Sequence, residues 1–166
     1  MLQGGDRRSI GMSDAVVKRV LKNPELMGEL FGALAHEDRT VRMRAADALE
    51  KATRKHTDWL HPFKRVLLER IAGSEEMELR WHVAQLLPRL KLSRSEQEQA
   101  VEILTEYLQD GSSIVKTFSM QALADLAMDD EQLQREVRPL LERLTRTGTP
   151  AMKARGRRLL KQLRSN

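Results

Sequence analysis

Apolar residues recur along this chain at intervals of three and four, in runs of single-helix length separated by turn residues. Pro24 follows Asn23 at what reads as the first position of a helix, where a missing N–H costs nothing. Leu26, Leu30, Phe31 and Leu34 then share a face until His36, and Asp38 is placed to cap a second helix with Val41, Ala45, Ala48, Leu49 and Ala52 inward. Together the two runs make a helix hairpin. A second hairpin opens near Thr57-Asp58, presents Trp59, Phe63, Val66, Leu67 and Ile71, breaks at Gly73-Ser74 and returns from Glu75 to Pro88. In the third, Ser95 to Glu98 has the spacing of a capping box; Val101, Leu104, Tyr107 and Leu108 follow, Asp110-Gly111-Ser112 turns the chain, and Ile114 to Met128 returns. The fourth starts at Asp129-Asp130, turns at Thr147-Gly148-Thr149-Pro150 and ends at Leu163. Ahead of all four, Ser13-Asp14 reads as the cap of a short lid helix with Val16, Val17, Val20 and Leu21 in one stripe. Residues 1–12 read as a flexible tail and 13–166 as one repeat domain.

The return helices repeat one another. Val41-Arg42 leads to Ala48-Leu49, Leu79-Arg80 to Leu86-Leu87, Val115-Lys116 to Ala122-Leu123 and Met152-Lys153 to Leu159-Leu160, at steps of 38, 36 and 37 residues. Such a period marks stacked helix pairs, because one pair cannot bury its apolar stripe without a neighbour. Helix-turn-helix units of this length with Asp-x-x-Val-Arg at the turn, here Asp38 to Arg42, resemble HEAT repeats, with armadillo repeats as a variant, over residues 24–164. The Trp, Gly and Tyr signature of tetratricopeptide repeats and the Thr-Pro-Leu-His of ankyrins are absent. The resemblance implies an all-α, right-handed α-solenoid of about four HEAT-like hairpins behind an N-terminal cap helix, with second helices lining the concave side.

Composition supports helix and removes several chemistries. Of 166 residues, 40% are apolar and 32% charged, which suits a soluble helical protein with a large surface. The absence of cysteine excludes disulfides, thiolate metal sites and Cys nucleophiles. No apolar run approaches the roughly 20 residues of a membrane span, and residues 1–12 lack the apolar core of a secretory signal, so a cytoplasmic protein is expected. The net charge of +5 conceals blocks: residues 95–132 set Lys116 against nine acids, whereas residues 133–166 carry ten basic side chains and only Glu136 and Glu142 as acids.

The candidate binding residues lie on the return helices. Arg42, Arg80, Lys116 and Lys153 occupy one position in successive units and would form a row of cations, joined by Arg44, Arg155 and Arg158. The resemblance implies an Arg in this row with an Asp a few residues earlier; the matching positions read His36, Ser74, Asp110 and Arg146, so only the third unit supplies the acid. Either the row binds phosphates or acidic side chains, or Asp47, Glu76, Glu78, Asp125 and water satisfy it. On the first return helix Met43, Asp47, Glu50 and Arg54 are expected to point away from the core. Trp81 on the concave side is either an anchor for a partner or a filler between second helices. Gly156 takes the place of Ala45, Val83 and Ser119, where small residues let helices approach closely, so a bulky substitution is expected to strain the packing.

No reaction chemistry follows from the motifs. His56 and His61 are five apart rather than the four that would put two imidazoles on one helix face for a metal. Gly4-Gly5 lacks the Lys of a phosphate loop, and no Gly-x-Ser-x-Gly elbow occurs. The expectation is a non-enzymatic scaffold without cofactor or metal, holding a protein or peptide segment, as a monomer or weakly self-associating species. The alternative is sequence-independent nucleic-acid binding through the cation row and basic last helix. A minor one, from the same resemblance, is a DNA glycosylase using Trp81 with Asp47 or Asp125.

Overall fold

The computed structural model describes residues 11–163, whose regular elements are all helices or helical turns, with no strand among them. The chain divides into two compact units, one ending at Lys91 and one beginning at Leu92. The expected tail over residues 1–12 falls almost wholly outside the described residues.

The first unit contains α1 (Gly11–Lys22), α2 (Met27–Gly32), α3 (Arg39–Ala52), α4 (Lys64–Val66) and α5 (Met77–Leu86). Its first hairpin follows the sequence pattern. Pro24 opens a 3-10 turn, α2 and a second 3-10 turn carry the run to Ala35, and Asp38 caps α3 by accepting the Thr40 N–H at 2.7 Å. Val41, Ala45, Ala48, Leu49 and Ala52 are all buried. The outbound arm of the second hairpin departs from the expected plain α-helix. It begins as a 3-10 segment over Thr57–Phe63, which contains Pro62, and after α4 it closes in a π turn over Leu67–Ile71, where the Ala72 N–H bonds the Leu67 carbonyl at 2.9 Å. Proline removes one backbone donor, and the looser and tighter turns on either side keep Leu60, Leu67 and Leu68 in the core. Phe31 of α2 stacks on Phe63 of the second hairpin, with ring centroids 4.5 Å apart and planes at 14°, and so seals the seam between the outbound arms.

The lid helix α1 packs on α3 but does not start at Ser13. Ser13 and Asp14 lie inside the helix and serve tertiary bonds instead of a cap. Ser13 Oγ donates to Asp47 Oδ2 at 2.5 Å, and Lys51 Nζ reaches both Asp14 at 2.7 Å and Asp47 at 2.8 Å. Val20 is buried, whereas Leu21 is 44% exposed, so the apolar stripe is narrower than the spacing predicts.

The second unit contains α6 (Arg94–Tyr107), α7 (Ser113–Leu126), α8 (Glu131–Thr147) and α9 (Pro150–Gln162). A capping box opens α6 two residues earlier than expected: Glu96 N–H donates to Ser93 Oγ, and Glu96 Oε2 accepts the Ser93 N–H at 2.7 Å. Ser112 caps α7, Asp130 caps α8 and Thr149 caps α9 just ahead of Pro150. Leu104, Tyr107, Val115, Met120, Leu123, Val137, Leu141, Met152 and Leu159 are buried. At the last repeat position Leu159 takes the fully buried place and Leu160 is half-buried. Gly156 is buried against α8, where an added Cβ would come within 1.9 Å of Thr145 Oγ1 and 3.1 Å of the Met120 side chain.

Candidate interaction surface

The four cations of the row have different surroundings. Arg42 on α3 donates through Nη1 to the His36 carbonyl at 2.5 Å and the Glu37 carbonyl at 2.7 Å, and its Nη2 pairs with Glu76. Arg80 on α5 repeats the first of these bonds, Nε donating to the Ser74 carbonyl at 2.7 Å. In both hairpins the guanidinium reaches back six residues and closes the interhelical turn with a backbone oxygen where an Asp side chain is expected. Each is a planar, multi-donor group suited to that job. Lys116 on α7 and Lys153 on α9 are half-buried, and among the described residues their ammonium groups have neither hydrogen-bond nor ion-pair partners.

Three further residues from the sequence reading are separated by depth. Arg44 is 1% exposed and forms part of the interior, so it is not presented to a partner as expected. Arg158 is exposed on α9. Arg155, half-buried between α9 and α7, donates through Nη1 to Gln121 Oε1 at 2.9 Å and lies over the Phe118 ring at 5.8 Å. Burial first, and then the neighbouring Arg158 charge, lowers the Arg155 pKa. Gln121 passes the polarity on, its Nε2 donating to Asp125 Oδ1 at 2.7 Å. On the second unit the α7–α9 face therefore carries Lys116, Lys153 and Arg158, which have no carboxylate partner among the described residues, beside an arginine fixed on an aromatic ring.

Trp81 is half-buried on α5 and meets the His82 ring edge-on, with centroids 5.5 Å apart. Trp59 stacks on His56 at 4.2 Å. His82 itself is 6% exposed, and burial pushes its pKa down to about 4, against the opposing pull of Asp47 and Glu50.

The sequence reading missed the polar heart of the first unit. Glu50, expected to face solvent, is 4% exposed. It is held by Arg54 at 2.7 Å and by Arg89, whose Nη1 also donates to the Glu50 carbonyl at 2.6 Å and to Thr53 Oγ1 at 3.0 Å. Burial raises the Glu50 pKa, and the bonds from Arg54 and Arg89 outweigh it and hold the carboxyl below its ordinary value. The i, i+4 spacing of Glu50 and Arg54 was visible; Arg89 comes from another hairpin and carried no local signal. Asp47, cast above beside Trp81 in the glycosylase alternative, is engaged by Ser13 and Lys51.

Among the described residues no helix is long and apolar enough to cross a membrane. No curated protein matches this sequence. The archaeal HEAT-like repeats protein from Thermococcus onnurineus NA1, known from a crystal structure, is similar in fold with a TM-score of 0.56 at 16% identity, over 93% of this chain and 64% of that one. The present chain thus spans under two thirds of that relative's length. A family model described as HEAT repeat domain matches residues 5–163, nearly the whole sequence, and the chain belongs to the HEAT repeat family.

Proposed function

We propose that this protein is a non-enzymatic interaction module that holds an acidic segment of a partner protein along the return helices of its second unit, the side read above as concave. HEAT repeat domains commonly serve as protein-interaction scaffolds, and that family property supports the class. The uncompensated cations of α7 and α9 support the chemistry: Lys116, Lys153 and Arg158 lack carboxylate partners among the described residues, while Arg42 and Arg80 in the first unit are engaged by their own turns. A surface of this kind gains from an anionic partner, because Lys116 and Lys153 are already desolvated in part and none of the three cations has a carboxylate to satisfy it among the described residues. The lack of cysteine is compatible with a reducing, cytoplasmic setting.

The same cations support a second reading, sequence-independent nucleic-acid binding, since α9 also presents Arg157 and Lys161 to solvent. The two readings separate in a pull-down from lysate with and without nuclease. A defined protein retained after nuclease, and lost with the Lys116→Gln, Lys153→Gln, Arg158→Gln variant, supports the scaffold. Complete loss on nuclease treatment overturns it in favour of nucleic acid, whose affinity would fall steeply with salt.

A further inference from the structure

The outbound helices of the second unit leave between them a groove of about 480 Å³ lined by α6 and the first half of α8. Its apolar floor includes Val101, half-buried, and Leu133, 7% exposed. Its walls carry Glu98, Glu102, Asp130 and Glu136 against a single cation, Arg94, which sits 3.4 Å from Glu98. Asp130 is engaged as the cap of α8, accepting the Leu133 N–H at 2.9 Å. Glu102 and Glu136 have no hydrogen-bond or ion-pair partner among the described residues.

The first unit shows what closes such a seam. There Phe31 and Phe63 stack between the outbound arms of the two hairpins. In α6 and α8 the sole aromatic is Tyr107, which is 1% exposed and belongs to the core, so nothing of comparable size fills the space over Val101 and Leu133. The groove is thus an open, half-apolar trough with a net negative wall, on helices other than those of the cation row.

We infer that this groove is a second docking site, for a basic amphipathic segment of a partner protein. An aliphatic side chain would rest on Val101 and Leu133, and flanking Lys or Arg residues would meet Glu98, Glu102 and Glu136. The partner must supply both an exposed apolar residue and the positive charge. The basic helix α9 of a second copy supplies mainly the charge, because Met152, Leu159 and Leu163 are buried within its own unit and Leu160 is half-buried. The α1 helix of a second copy, with Leu21 exposed beside Lys18 and Lys22, is the competing occupant that the light-scattering measurement tests. The volume lies within the range of about 300–1,000 Å³ over which concave sites enclose ligands, enough for a few side chains rather than a domain.

The test uses the full chain and two labelled helical peptides of one pattern, one built from Lys and Leu and one from Glu and Leu, in a fluorescence-anisotropy titration. The Lys/Leu peptide is expected to bind and the Glu/Leu peptide not to. The Glu98→Gln, Glu102→Gln, Glu136→Gln variant, whose changes are exposed and leave helix propensity intact, should lose about tenfold or more in affinity while its thermal midpoint holds. Val101→Lys should abolish binding with the acids in place, and the Lys116→Gln, Lys153→Gln, Arg158→Gln variant should bind as before. Equal affinity of the triple Gln variant and the parent overturns the site, as does equal binding of both peptides. Light scattering that shows self-association abolished by the same Gln variant would assign the groove to a second copy and overturn the partner assignment.

Discussion

Gly156 on α9 lies against Thr145 on α8 so closely that the missing Cβ is what permits the two helices to meet. The Thr145 hydroxyl cannot yield freely, because it donates to the Leu141 carbonyl at 2.6 Å. Replacing Gly156 by Ala adds helix propensity worth about 1 kcal/mol, yet the clash should outweigh it and leave a net loss of about 1–3 kcal/mol in urea denaturation. Thr145→Ala in the same chain removes the closest atom and should restore part of the loss. A double-mutant cycle with no coupling between the two positions would refute this account.

His82 makes the first unit sensitive to acid. Its folded pKa of about 4 lies below the ordinary 6.5, so the unfolded chain binds the proton first and stability falls as pH drops from about 6.5 to about 4. Below that window the loss is complete, at roughly 3 kcal/mol on the scale of 1.36 kcal/mol per pKa unit. Glu50 faces the same region with its pKa lowered, and its own contribution disappears at lower pH, below its unfolded value of 4.5. Chemical denaturation at successive pH values should therefore show a slope above pH 4.5 in the parent, and His82→Gln should flatten it.

The Glu50 cluster should be unequal in its parts. Glu50→Ala leaves Arg89, whose side chain is only 18% exposed, without its carboxylate, at a cost of about 2–4 kcal/mol. Arg54 is 60% exposed, and Arg54→Ala should cost below about 1 kcal/mol. Thermal melts of the two single variants would distinguish this order from a network in which all members matter alike.

The cation row should divide by unit. Arg42→Gln and Arg80→Gln each remove bonds to turn carbonyls and should destabilise by about 1–2 kcal/mol. Lys116→Gln and Lys153→Gln should leave the melting temperature unchanged and weaken only an anionic partner. If all four variants melt alike, the row has one role and the division proposed here fails.

The residues legible from sequence were those whose partners lie within a turn or recur with the repeat. Asp38 as a cap, Ala45 and Leu49 as core and Gly156 as a close-approach position all follow from spacing alone. Ser13 was misread because a serine at the edge of an apolar run signals a cap, while its partner, Asp47, is in another helix. The residues Leu92-Ser93-Arg94-Ser95-Glu96 to Glu98 contain two overlapping Ser-x-x-Glu matches, and local spacing does not choose between them. The oxygen atoms that satisfy Arg42 and Arg80 belong to the backbone, which no residue letter announces. The −8 block over residues 95–132 was plain in composition, but its use depends on a groove between helices that only the fold creates.

The return helices α3, α7 and α9 are each capped by the residue immediately before them, Asp38, Ser112 and Thr149. Every such turn is therefore specified by atoms a few bonds apart, and most contacts that follow join neighbours in the chain. Proteins wired this way have little loop-closure entropy to overcome before contacts reward it, and they acquire their structure in microseconds to milliseconds. For this chain the consequence is kinetic: each hairpin can begin to form as soon as its own residues are available, with no need to wait for a distant strand to arrive.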